Sequence, residues 1–147
     1  MNDPPSVSGW PAYYQTPSFD KLWITTQTIG DRTVQIDSFL WWGYWNPSGE
    51  NLFADVLGFT EKLDNPYDLN DLIAETERLA LGHRITDSSR EYLKSILLSG
   101  QSNESYWTEA WANYIADPGN PTLRGIVETR LKSMYQNMFQ LAEFQLM

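Results

Sequence analysis

A chain of 147 residues with 41% hydrophobic and 20% charged side chains has the size and balance of one globular domain. Ten Lys and Arg against 19 Asp and Glu give a net charge of −9, which works against attraction to nucleic-acid backbones. The absence of cysteine excludes disulfides, thiol nucleophiles and Cys-ligated zinc, and a single histidine excludes a multi-His metal centre. No apolar run reaches the roughly 18 residues of a membrane-spanning helix, so membrane insertion is not expected.

The first 18 residues hold four of the eight prolines and read as an irregular, extended arm. They lack the basic start, apolar middle and small-residue cleavage site of a signal peptide. Trp10, Tyr13 and Tyr14 are large rings that gain by covering a surface, so the arm is expected to lie on the rest of the fold.

From residue 19 onward the pattern is helical. Thr25 or Thr26 can cap a helix to about Trp42, with Ile29, Ile36, Phe39 and Leu40 on one side and Gly30 weakening its first turn. Gly43, Asn46, Pro47 and Gly49 mark a loop. Asp55 caps a short helix through Leu63, which Asn65-Pro66 ends.

Asp68 opens a helix whose stripe is Leu69, Leu72, Ile73, Thr76, Leu79 and Ala80, with Gly82 as its left-handed stop. Thr86 or Asp87 caps the next, with Tyr92, Leu93, Ile96 and Leu97, up to Gly100. Ser102 or Asn103 caps a third, with Trp107, Trp111, Tyr114 and Ile115 on one face. After the Asp117–Pro121 break, the chain restarts at Pro121 or Thr122. Ile126, Val127, Leu131, Met134, Tyr135, Met138, Leu141, Ala142 and Leu146 then form one long apolar face. No alternating stretch predicts a strand. The fold class is all-α: a compact bundle of about six helices with the Pro/Trp-rich arm packed on it, in one domain spanning 1–147.

Few residues suggest chemistry. Asp68, Asp71 and Glu75 share a helix face beside Arg78, but acids in a first turn serve the helix dipole and Glu75 can pair with Arg78. The oxygen-rich run from Asp64 to Asp71 has Pro66 inside it and lacks the glycine and spacing of a calcium loop. His83 has Asp87, Ser88 and Ser89 near in sequence, yet no nucleophile elbow accompanies them, and a turn-filling role is expected. Asn103-Glu104-Ser105 matches a glycosylation sequon. No catalytic, cofactor-binding or metal-ligating residue is predicted, and no cofactor.

The aromatic residues are less ordinary. Ten of the 21 lie between Trp10 and Trp45, including five of the seven Trp. In Trp41-Trp42-Gly43-Tyr44-Trp45, neighbouring rings point about 100° apart on a helix, so both Trp41 and Trp42 cannot fill one seam. Core packing, a protein interface and stacking on sugar rings are all open to them. The Trp107, Trp111 and Tyr114 stripe reads as core.

The stretch Pro4-Pro5-Ser6-Val7-Ser8-Gly9-Trp10-Pro11 resembles a bacterial family known as domain of unknown function 1800. Trp23-Ile24, Thr28, Ile29 and Arg32 stand in the register of that family's next motif, and Leu141-Ala142-Glu143-Phe144-Gln145 resembles its closing helix. Tyr13-Tyr14-Gln15 and the Trp107-Thr108-x-Ala110-Trp111 helix resemble one sub-branch. Thr25 and Gly30 depart from the usual Asn and Leu. The resemblance implies the C-terminal region of a longer, mostly helical, exported protein, and it carries over no reaction.

The expectation is therefore a non-catalytic scaffold or interaction domain. Its surface would be Trp10, Tyr13, Tyr14, Trp23, Trp41, Trp42, Tyr44 and Trp45. Its partner would be the N-terminal part of the same protein or another protein. Two alternatives use the same surroundings: a polysaccharide-binding module, or one wall of an active site completed by the N-terminal part.

Overall fold

Side-chain caps set most of the helix starts. The structure, a computed structural model, describes residues 26–145, and the chain divides into two units, residues 1–34 and 35–147. The expected arm (residues 1–18), with Trp10, Tyr13 and Tyr14, lies outside the described residues, as do Trp23 and the cap position Thr25. In the first unit, Thr26–Val34 is helical, and Gln27 Nε2 donates to Asp31 and Thr33 Oγ1 to the Ile29 carbonyl within it. Gly30 is accommodated inside this helix, α1 (Thr26–Asp37).

Among the described residues of the second unit, the regular elements are helical apart from one small ladder. A π-helical turn (Ser38–Trp42) follows α1, and β1 (Tyr44–Trp45) pairs antiparallel with β2 (Asn51–Leu52). The predicted loop is thus a hairpin. Two residues per strand are too few for alternation to reveal, which is why the pattern showed none. Then come α2 (Val56–Thr60), α3 (Leu69–Ala80), α4 (Asp87–Leu98), α5 (Ser105–Ala116), α6 (Pro121–Phe139) and α7 (Ala142–Gln145).

Asp55 accepts from the Gly58 N–H, Asp68 from Asn70 and Asp71, Thr86 from Ser89, and Asn120 from Thr122 and Leu123. Each satisfies donors that the first helical turn leaves open. Pro121 sits just inside α6, where its missing N–H costs nothing. Gly82 leaves α3 with φ 65°, a conformation glycine adopts freely.

Helix α6 is the central post: α2, α4, α5, α7 and the π-turn all pack against it. Its Val127, Leu131, Met134 and Met138 are fully enclosed, and Leu72, Ile73, Leu93, Leu97, Trp107 and Trp111 close the core around them. Leu79, Tyr92, Ile115 and Ile126 lie at the edges of their predicted stripes and are exposed. In α3 the acid Glu77 is buried, whereas Leu79, expected in the stripe, is exposed. The long terminal helix breaks at Gln140–Leu141 before α7.

Candidate functional site

The Trp41–Trp45 segment is held by a bracket of polar groups. At the end of the π-turn the Gly43 N–H donates to the Ser38 carbonyl at 2.6 Å, and Gly43 exits with φ 78°. Trp41 turns inward, half-buried, and its Nε1 donates to Gln136 Oε1 at 3.0 Å. The amide nitrogen of the same Gln136 donates to Asp37 Oδ1 at 2.6 Å, and Gln140 donates to that oxygen at 3.2 Å. Lys132 Nζ stands 5.7 Å from the Trp41 ring centroid, close enough for cation–π attraction. Trp41 is therefore an anchor.

The hairpin beyond it is stiffened by short-range bonds. Asn46 ties the turn: its side chain accepts from the Glu50 N–H and donates to the Glu50 carboxylate, while its carbonyl accepts from Gly49. Asn51 Nδ2 reaches back to the Trp42 carbonyl, and the Ala54 N–H donates to the Phe39 carbonyl at 2.9 Å. Tyr44 stacks on Phe39 with centroids 5.5 Å apart. On this frame Trp42 and Trp45 are 64% and 66% exposed, and Tyr44, Leu52 and Phe53 are exposed with them. Of the predicted surface within the described residues, the structure thus presents Trp42, Tyr44 and Trp45 outward and turns Trp41 inward.

The other aromatic stripe is core. Trp107 and Trp111 are sealed from solvent with centroids 5.8 Å apart, and Trp107 Nε1 donates to the Pro66 carbonyl at 2.9 Å. Tyr114 O–H donates to Glu61 at 2.6 Å. Burial and that carboxylate push the Tyr114 phenol up to about 12. Tyr135, bonded to Thr60 at 2.7 Å, is likewise pushed up by burial to about 12.

The polar constellations resolve into structural work. Asp68 is a cap, Asp71 accepts from Asn65, and Glu75 accepts from the Asp64 N–H and pairs with Arg78. His83 Nδ1 lies 2.8 Å from the Leu81 carbonyl at the end of α3. Ser88 and Ser89 bond to Thr86 instead, and Asp87 pairs with Arg84. Asn103 Oδ1 accepts from the Ser105 N–H ahead of α5. Among the described residues no group of three or more His, Asp or Glu side chains is placed to hold a metal ion. Nor is any of their helices long and apolar enough to cross a membrane.

Sequence reasoning missed the ion pair of Glu77 and Arg90. The Arg90 guanidinium grips both oxygens of a carboxylate that is 2% exposed. That carboxylate holds the Arg90 pKa above its ordinary value. The available signal was position: Glu77 follows Ile73 by four residues, on the buried side of α3.

This geometry defines a small helical bundle that presents an aromatic hairpin. Comparison with family models, curated proteins and solved structures finds no match to the chain.

Proposed function

We propose that the chain is a non-catalytic helical scaffold whose aromatic hairpin docks on a protein surface. That surface would be the N-terminal part of a longer exported protein of the domain of unknown function 1800 type. The observation that carries the reading is the contrast between the Trp residues. Trp107 and Trp111 are sealed in the core, while Trp42 and Trp45 stand in solvent on a polar-bonded frame. Large exposed rings on a stiff support lose little entropy when they bind. The longer-protein context rests on the Pro4–Pro11 and Leu141–Gln145 phrases.

A protein partner suits the patch better than a glycan. Leu52 and Phe53 extend it with purely apolar surface, and the nearby Asn46 and Glu50 side chains are already bonded to each other. Sugar hydroxyls need free polar partners beside the stacking ring.

Oxidative footprinting tests this. In the protein isolated with its native assembly, Trp42 and Trp45 are protected, and purifying the chain alone exposes them. Equal oxidation in both preparations overturns the reading. Quenching of their fluorescence by oligosaccharides would favour the glycan reading instead.

A further inference from the structure

On α6, one carboxylate is shared by two cations, and one of the two is left with donors to spare. Glu128 Oε1 pairs with Lys132 at 2.8 Å, while its Oε2 lies 3.5 Å from Arg124 Nε. The Lys132 hydrogen bond is the chief reason the Glu128 carboxyl sits below its ordinary pKa, and Arg124 contributes less. Glu128 is thus spent mainly on Lys132, which leaves Arg124 as a surplus positive charge. The Arg124 side chain is 57% exposed, and among the described residues neither of its Nη groups meets an acceptor.

That cation borders the aromatic hairpin. Arg124, Glu128 and Lys132 line a cleft of about 370 Å³ whose other wall begins at Phe53, directly after β2. Arg124 Nε and Lys132 Nζ both lie on a carboxylate of that lining, so their heads are gathered at the cleft. Lys132 also stands over the Trp41 ring, which makes cleft and hairpin one continuous surface. Phe53 and Leu52 are exposed on it. Asp55, on the same wall, is turned onto Gly58, with Oδ1 on its N–H and Oδ2 where a Cβ would stand. Arg78 and Arg84 are as exposed as Arg124, but the described clefts they line carry no large exposed apolar side chain.

We propose that the protein segment docking on the hairpin carries an Asp or Glu whose carboxylate seats on Arg124, with an apolar side chain beside it on Phe53 and Leu52. This rests on the docking reading above and adds the chemistry of the partner. The open Nη donors of a guanidinium match the two oxygens of a carboxylate. A basic side chain meets no equivalent here, since both Glu128 oxygens face cations and Asp55 is turned onto Gly58. With the chain at −9, the contact acts by setting register at one point rather than by bulk attraction.

Carbodiimide, which joins an amine to a carboxylate in contact with it, tests this in the native assembly. In Arg124→Lys, which keeps the charge, mass spectrometry is expected to find the introduced amine linked to an Asp or Glu of the partner, with an aromatic or branched aliphatic residue a few positions away. Arg124→Glu is expected to weaken the assembly about tenfold or more. Arg78→Glu makes the same charge change at a cleft without an exposed apolar side chain, and is expected to leave the assembly unchanged. Links only to Glu128 of the same chain overturn the proposal, as does equal weakening by the two charge reversals. The oxidation of Trp42 and Trp45 separates this contact from docking itself. Rings protected in the assembly, with no partner link in Arg124→Lys, remove the acidic contact and leave docking standing. Rings oxidised equally in the assembly and in the chain alone remove both.

Discussion

The Arg90 guanidinium of α4 closes over the buried Glu77 carboxylate of α3, joining the two helices by a bidentate ion pair. Removing one partner strands a buried charge, whereas removing both replaces it with packing. Arg90→Met is expected to destabilise the fold by about 3–5 kcal/mol in urea unfolding, and Glu77→Leu with Arg90→Met to recover most of that loss. An Arg90→Met protein as stable as the parent would show that Glu77 reaches solvent.

Trp107 joins α5 to the loop ahead of α3 through the Pro66 carbonyl. Trp107→Ala deletes the ring and that bond, at an expected cost of about 3–5 kcal/mol in the same measurement. Trp107→Phe keeps most of the volume and should fall between the two, with faster amide exchange around Pro66 and Tyr67 as the local sign.

Two phenols make the fold sensitive to alkali. Tyr114 and Tyr135 are pushed to about 12, above the value of about 10 for an unfolded chain. Between these values the folded protein holds protons that the unfolded chain releases, so stability falls as pH rises. It is fully present below about 10 and lost through about 12. Tyr135→Phe cannot ionise and should flatten that fall, as read from unfolding midpoints across the range. An unchanged profile would mean that Tyr135 ionises in the folded state as readily as in the unfolded chain.

Gly43 has φ 78°, and a Cβ there would overlap the Asn51 side chain. Gly43→Ala is expected to cost about 1–3 kcal/mol and to release the hairpin, detected as altered Trp42 and Trp45 fluorescence. An unchanged emission spectrum would show that the hairpin does not depend on this turn.

Much of the fold was legible because its signals are local. Asp55, Asp68, Thr86, Asn120 and Pro121 announce helix starts within a few residues, and the threefold and fourfold spacing of Leu, Ile and Met marks what faces inward. The candidate site was half legible. Composition singled out Trp41–Trp45, but which ring turns inward depends on the π-turn and on Gln136, and nothing near Trp41 in sequence encodes either. Glu77 carried no local sequence signal of its ion pair because its partner Arg90 lies in the next helix.

The bracket formed by Trp41, Asp37 and Gln136 has a consequence for biosynthesis. Gln136 is translated 95 residues after Trp41 and 99 after Asp37. While the ribosome is still making α3 to α5, the Trp41 ring has no seat, a state in which apolar surface invites mispairing. Chaperone occupancy on arrested nascent chains should therefore persist until α6 has emerged, and then drop.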